Sequence, residues 1–324
     1  MAPTDINALR ASARAGNLHA LTTLGKRLLM GDGVAPSPQE GIACLETAAA
    51  RGNGEASAQL ALLAAWGILQ PRNLAVALDR LQRAAELGWE PAQRELAFLA
   101  RSTGHNWSAL RGQVDVTAWT TSPAVQVLRD APSIRTCKGF ASVAECDWLI
   151  ELARKDLRRA KIYRKDAAGH EHSHTRTNTE SDYTIGNADI VLNLIRARLA
   201  AAAGIDSRRF EVAKLLHYEP GQQFEAHCDF QEPATPALRQ EIERYGQRVA
   251  TLLVYLNDDY AGGETDFPRI GLRHKGARGD ALLFANVQPS GALDYDTLHA
   301  GLPPTSGVKW VLSQWVRDKP ISPA

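Results

Sequence analysis

The residues in this chain best suited to chemistry are His227, Asp229, His299 and Lys309. Two imidazoles and one carboxylate are the smallest protein donor set that holds Fe(II) and leaves three adjacent positions open, as in non-haem iron centres that use dioxygen. The same set could hold a catalytic zinc, which also takes three protein ligands and keeps an open position. The spacing has a geometric reason. In a strand, residues i and i+2 point to one side. Phe224–Asp229 reads as a strand, so His227 and Asp229 share a face. Cys228 between them points away, which argues against a thiolate ligand. The third ligand must come from a distant strand, and Leu298-His299-Ala300-Gly301 can supply it. Lys309 opens the strand-like run Lys309–Val316 and offers a fixed positive charge where an acidic cosubstrate would need one.

These residues sit in a longer series of motifs. Tyr218-x-x-Gly221-Gln222-x-Phe224-x-x-His227-x-Asp229 comes first, then Gln247-Arg248-Val249-Ala250-Thr251-Leu252-Leu253-Val254-Tyr255-Leu256-Asn257-Asp258. Gly262-Gly263-Glu264-Thr265-x-Phe267-Pro268 and Gly279-Asp280-Ala281-Leu282-Leu283-Phe284-x-Asn286 follow. Leu298-His299-Ala300-Gly301-x-Pro303 and Gly307-x-Lys309-Trp310-x-x-x-x-Trp315 close the series. In this order, over residues 134–317, they resemble the prolyl 4-hydroxylase branch of the 2-oxoglutarate/Fe(II)-dependent oxygenases.

The resemblance implies roles residue by residue. His227, Asp229 and His299 match the iron ligands, and Lys309 matches the basic partner of the distal carboxylate of 2-oxoglutarate. Such a buried charge needs a partner, which the cosubstrate provides. Tyr218, Thr251 and Tyr255 match positions lining the cosubstrate pocket, where their hydroxyls complete that carboxylate's hydrogen bonds; core packing is the competing role for Tyr255 and Thr251. Trp315 matches an aromatic that lines the pocket near the iron, toward the substrate, with core packing as its competing role. Arg176, in Arg176-Thr177-Asn178, matches an Arg at the mouth that would grip a carboxylate or backbone carbonyl of the primary substrate. Asn178 stands where the family commonly has Ser. The implied cofactors are Fe(II), 2-oxoglutarate and O2, with ascorbate as a possible addition. The implied reaction hydroxylates an unactivated C–H, foremost of a prolyl residue in a protein or peptide, and releases succinate and CO2. A free amino acid or small natural product, its carboxylate held by Arg176, is the alternative substrate. A catalytically inactive interaction module is the alternative of another class; the complete set of ligands argues against it.

Composition sets outer bounds. The 324 residues are 44% apolar and 23% charged, ordinary for a folded chain long enough for two domains. A formal net charge of +1 gives no global field toward nucleic acid or a membrane surface. The basic run Arg154–Lys165 reads as a solvated face. His170-x-His172-x-His174 has no flanking ligands and reads as a polar loop. No stretch approaches the roughly 18 apolar residues of a membrane span. Cys44, Cys137, Cys146 and Cys228 show neither metal spacing nor a disulfide framework, which fits free thiols in a reducing, cytoplasmic setting.

The elements that position the chemistry form an expected α+β chain. Residues 9–100 repeat with a period of thirty-six: Ala20, Ala56 and Ala92 align, as do Leu24, Leu60 and Leu96, and Gly16, Gly52 and Gly88. Two helices and a Gly-marked turn per period spell an α-solenoid. Leu24-Gly25, Gly31-Asp32-Gly33-Val34, Leu45, Ala48-Ala49 and Gly52-Asn53 resemble Sel-one-like tetratricopeptide repeats. So short a solenoid is expected to pack on the C-terminal domain, as a surface for a protein or peptide partner or as a structural flank. Ser142-Val143-Ala144-Glu145 predicts a capping box opening a helix to about Leu157, and Asn187–Ala203 a second long helix. From Ala213 onward short strands suit a double-stranded β-helix, or jelly roll. The expected division is a helical repeat domain at 1–101, a connector at 102–133 with a strand near Ala124–Leu128, and an oxygenase jelly roll at 134–324.

Overall fold

A computed structural model describes residues 5–163, 170–171, 173–184 and 186–321. The chain divides into two compact units. One holds Met1–Trp119 with Ile185–Leu194, the other Thr120–Thr184 with Ile195–Ser322.

The first unit is helical. Ile6–Arg14, Leu18–Met30, Pro38–Ala50, Gly54–Trp66, Leu74–Glu86 and Glu90–Leu99 form successive antiparallel pairs. The thirty-six-residue period appears as geometry. Ala20, Ala56 and Ala92 are buried, and so are Leu24, Leu60 and Leu96. Asn17 and Asn53, one period apart, cap their helices by accepting from the Ala20 and Ala56 N–H groups. Gly31 and Gly67 end the same helices in the left-handed region. Gly25 allows a close crossing: a methyl there would lie 2.8 Å from Leu45 Cγ and 2.9 Å from the Gly41 carbonyl oxygen. Residues 102–133 carry two short helices, Trp107–Gln113 and Val116–Thr120, and the strand Gln126–Arg129. Trp119 is buried and donates from its indole to the Leu99 carbonyl.

The second unit is a jelly roll of two main sheets. The eight-stranded sheet runs Gln126–Arg129, Ile134–Cys137, Ala281–Ala285, Arg248–Tyr255, Lys309–Arg317, Lys214–Tyr218, Thr179–Asp182, Arg158–Arg159. The four-stranded sheet runs Leu272–His274, Thr265–Phe267, His299–Gly301, Phe224–His227. The pairs are antiparallel. Leu253, Tyr255, Phe267, Leu282, Phe284 and Val311 pack between them as a core. The predicted capping box is present: Ser142 accepts from Glu145 N–H, and the Glu145 carboxylate accepts from Ser142 N–H. That helix, Val143–Arg154, ends sooner than expected. Glu145 also takes both hydrogen bonds of a buried, two-pronged ion pair from Arg198. The second long helix is Ile190–Ala203, followed by Gly204 at positive φ.

The helix Pro236–Tyr245 interrupts the strand-rich region and was not expected. Its signal is in the sequence: Thr235 is an N-cap residue and Pro236 stands at the first helical turn. The two-residue strands Ile162–Tyr163 and His170–Glu171 pair antiparallel. Of the alternating histidines, His172 lies outside the described residues.

Candidate metal and cosubstrate site

Strand pairing brings the triad together. His299 lies directly across from His227 in the four-stranded sheet. The strand ends at His227, short of the expected Asp229, so Asp229 follows two positions beyond its end. Asp229 Oδ1 is 3.4 Å from His227 Nε2, and Asp229 Oδ2 is 3.4 Å from His299 Nε2. Among the described residues, these three form the group able to hold a metal ion, with one ligand atom of each lying within 4.8 Å of the others. Cys228 lies outside that group, half-buried, and burial pushes its thiol up to about 11.

Backbone carbonyls set the tautomer of both histidines. Each Nδ1 lies against a carbonyl oxygen, that of Glu225 at 2.8 Å for His227 and that of Thr297 at 2.9 Å for His299. A carbonyl only accepts, so Nδ1 carries the proton and the Nε2 lone pair faces the carboxylate. Burial opposes charge on His299 and brings it down to about 4, against the pull of Asp229. Burial alone would raise the Asp229 carboxyl; the facing imidazoles and the Thr251 hydroxyl hold it well below the usual carboxylate range. The result at neutral pH is one carboxylate and a neutral His299. That donor set fits Fe(II), and iron and zinc share it.

The eight-stranded sheet supplies the other wall. Lys309, Ser313 and Trp315 alternate along one face of their strand and line the pocket with Tyr218 and Thr251. Lys309 pairs across from Tyr218, and Trp315 across from Thr251. Lys309 is buried, and its Nζ donates to the Gly263 carbonyl at 2.7 Å. Burial brings the ammonium down to about 7; Glu264 opposes this and Lys275 adds to it. Burial raises the Tyr218 hydroxyl to about 12, so it stays protonated and able to donate.

Three expected contacts come out differently. The Thr251 hydroxyl donates to Asp229 Oδ2 at 2.6 Å and accepts from the Asn286 amide at 3.0 Å. Its single proton is committed, so Thr251 orients the triad carboxylate and has none to give a cosubstrate carboxylate. Tyr255 belongs to the core, and its hydroxyl meets Thr265 at 2.8 Å; Thr265 is the residue that reaches the pocket. Arg176 does line the pocket, but it is buried and ion-paired to Glu180 at 2.7 Å. Trp315 lines the pocket as expected, with the Arg248 guanidinium 3.8 Å from its ring centroid and Glu211 holding Arg248 by two hydrogen bonds.

Residues 213–317 match the profile of the 2OG-Fe(II) oxygenase superfamily. Over 243 residues the chain is 31% identical to the probable prolyl 4-hydroxylase 7 of Arabidopsis thaliana, covering 68% of this chain and 75% of that protein. The chain belongs to the prolyl 4-hydroxylase family. It is a 2-oxoglutarate- and Fe(II)-dependent dioxygenase by descent. Among solved structures, the viral collagen prolyl hydroxylase of Paramecium Bursaria Chlorella virus-1, in complex with 2OG, is 27% identical at a TM-score of 0.44, over 59% of this chain and 98% of that one. A Sel1 repeat protein from Oxalobacter formigenes is 24% identical at a TM-score of 0.29, over 34% of this chain and 87% of that one.

Phe224 and Asn286 stand in the sequence motifs, but only the fold shows what they do. Phe224 stacks on His227, and Asn286 stands behind Thr251. Glu180 stands only four residues after Arg176, yet no motif marks it as the partner of that guanidinium. Among the described residues no helix is long and apolar enough to cross a membrane.

Proposed function

We propose that the chain hydroxylates a prolyl residue within a peptide or protein. His227, Asp229 and His299 would hold Fe(II), and Lys309 with Tyr218 would hold the distal carboxylate of 2-oxoglutarate. When bound, iron and 2-oxoglutarate supply the power to oxidise an unactivated C–H, with succinate and CO2 as the other products. The chain's residues bind and orient. The Glu225 and Thr297 carbonyls keep both Nε2 lone pairs turned to the metal position. Thr251, backed by Asn286, fixes the carboxylate plane. Lys309 awaits a carboxylate in a buried setting where a charge-assisted bond is strong. Leu216, Leu253, Val311 and Trp315 keep the pocket wall apolar.

The observation favouring a peptidyl substrate is the pairing of Arg176. A free amino acid brings a carboxylate that needs its own cation. The cations lining the pocket are Arg176 and Lys309. Lys309 serves the cosubstrate, and Arg176 is already ion-paired to Glu180, which it shares with Lys214. A prolyl residue inside a chain makes no such demand, and the relatives' names point the same way.

Succinate release with Fe(II) and 2-oxoglutarate, measured with proline-rich peptides and with free proline, tests the reading. Stimulation by peptides and none by free proline is expected, with the activity lost in His299→Ala. Stimulation by free proline alone would transfer the assignment to small amino acids. Turnover unchanged in His299→Ala would end the metal reading.

A further inference from the structure

The two histidines of the triad are held in unlike ways. His299 is buried in the core, with Phe284 4.7 Å and Phe267 5.7 Å from its ring centroid. His227 sits on the edge strand of the four-stranded sheet, and its side chain is 21% exposed against 8% for His299. An edge imidazole lacks a cage of core rings. Its Nδ1 is held by the Glu225 carbonyl, and one side of its ring meets His299 at 4.4 Å between centroids.

Phe224 supplies the missing face. Its ring stacks on His227 with centroids 3.5 Å apart and planes 16° from parallel. The Arg176 guanidinium lies over the same Phe224 ring, 4.5 Å from its centroid. The ring face covered by His227 has no room for it, so guanidinium, phenyl and imidazole form a three-layer stack. Arg176 cannot slide away. It donates to Glu180 at 2.7 Å, to Asn178 at 3.2 Å and to the Lys161 carbonyl at 3.0 Å. The backbone is fixed too: Arg176 bridges Phe224, Thr177 N–H donates to the Gln223 carbonyl, and Glu225 N–H to the Thr175 carbonyl. Asn178 does two jobs here. Its carbonyl oxygen accepts from Arg176 Nε while its amide donates to the Thr179 carbonyl, a division a serine hydroxyl would make less well.

We propose that Arg176 and Phe224 are positioning residues that hold His227 as a metal ligand. The inference rests on the reading of the triad as a metal site. Partners one layer behind a ligand typically set metal affinity by about 10- to 100-fold.

The test is Co(II) titration of the full chain without cosubstrate, followed by the visible absorption of the bound ion. Circular dichroism and melting temperature show that each variant is folded. Phe224→Leu and Arg176→Gln are expected to weaken Co(II) binding by about 10-fold or more. Phe224→Tyr keeps the ring face and is expected to bind as wild type. If Arg176→Gln fails to fold, Arg176→Lys replaces it, since it keeps the charge near Glu180 but not the flat face. Wild-type affinity in Phe224→Leu or in the Arg176 variant overturns the proposal. So does a Phe224→Tyr loss as large as that of Phe224→Leu. His227→Ala serves as the separate control: undiminished Co(II) binding there would sink the metal site itself, whatever the stack does.

Discussion

The helical unit and the jelly-roll unit spend their buried residues differently. In the helical unit the same contact recurs: Ala20, Ala56 and Ala92 fill equivalent places, as do Leu24, Leu60 and Leu96. In the jelly roll, each buried polar contact is a particular one that occurs once. Arg198 meets Glu145, Arg176 meets Glu180, Thr251 meets Asp229, and Lys309 waits in the pocket. A repeated apolar contact is replaceable in kind, so damage is graded. A buried charge with one partner leaves the full desolvation cost exposed when that partner goes.

The contrast can be tested from its strong end. Lys309→Met removes the ammonium expected to meet the cosubstrate. Truncating one side of a buried charge pair costs about 2–5 kcal/mol, so Kd for 2-oxoglutarate should rise roughly 30- to 5,000-fold. Calorimetry on Co(II)-loaded protein checks this, with the Co(II) affinity itself staying near wild type. Arg198→Met should cost about 3–5 kcal/mol of stability, because Glu145 is left buried with only its cap hydrogen bonds; urea unfolding measures it. The pH dependence is milder and has two signs. With its folded value near 7, Lys309 loses its charge as pH rises past 7, and 2-oxoglutarate binding should weaken by about tenfold per unit above that point. Between pH 7 and the unfolded value of about 10.4 the unfolded chain holds the extra proton, so the same residue makes stability rise with pH. Flat binding from pH 7 to 9 would remove Lys309 from the cosubstrate site. The smallest effect belongs to the helical unit. Gly25→Ala overpacks the crossing at Leu45 and Gly41 by about 1–3 kcal/mol, partly offset by a helix-propensity gain of about 1 kcal/mol. A loss near 1 kcal/mol is expected, with succinate formation unchanged.

Much of this was legible in the chain itself. Residue type and close spacing marked His227 and Asp229, because neighbours two positions apart stay near each other even though the strand ends at His227; the motif around Lys309 marked that residue by resemblance. The period of thirty-six was legible for a similar reason: each repeat meets its neighbours through the same positions. The helix Pro236–Tyr245 carries its cap signal in Thr235 and Pro236, inside a stretch otherwise rich in strands.

The tertiary structure decided who partners whom. Thr251 and Asp229 stand twenty-two positions apart, and only the packing of two sheets shows that the hydroxyl is committed to the triad carboxylate. Arg176 looked like an open hand for substrate until the fold set Glu180, Asn178 and the Lys161 carbonyl around it and laid it over Phe224. The kinds of donors and their order along a strand are local properties, which sequence states directly. Whether a hydroxyl or guanidinium is still available depends on where the folded backbone sets its partners, four residues away for Arg176 and Glu180 or twenty-two for Thr251 and Asp229.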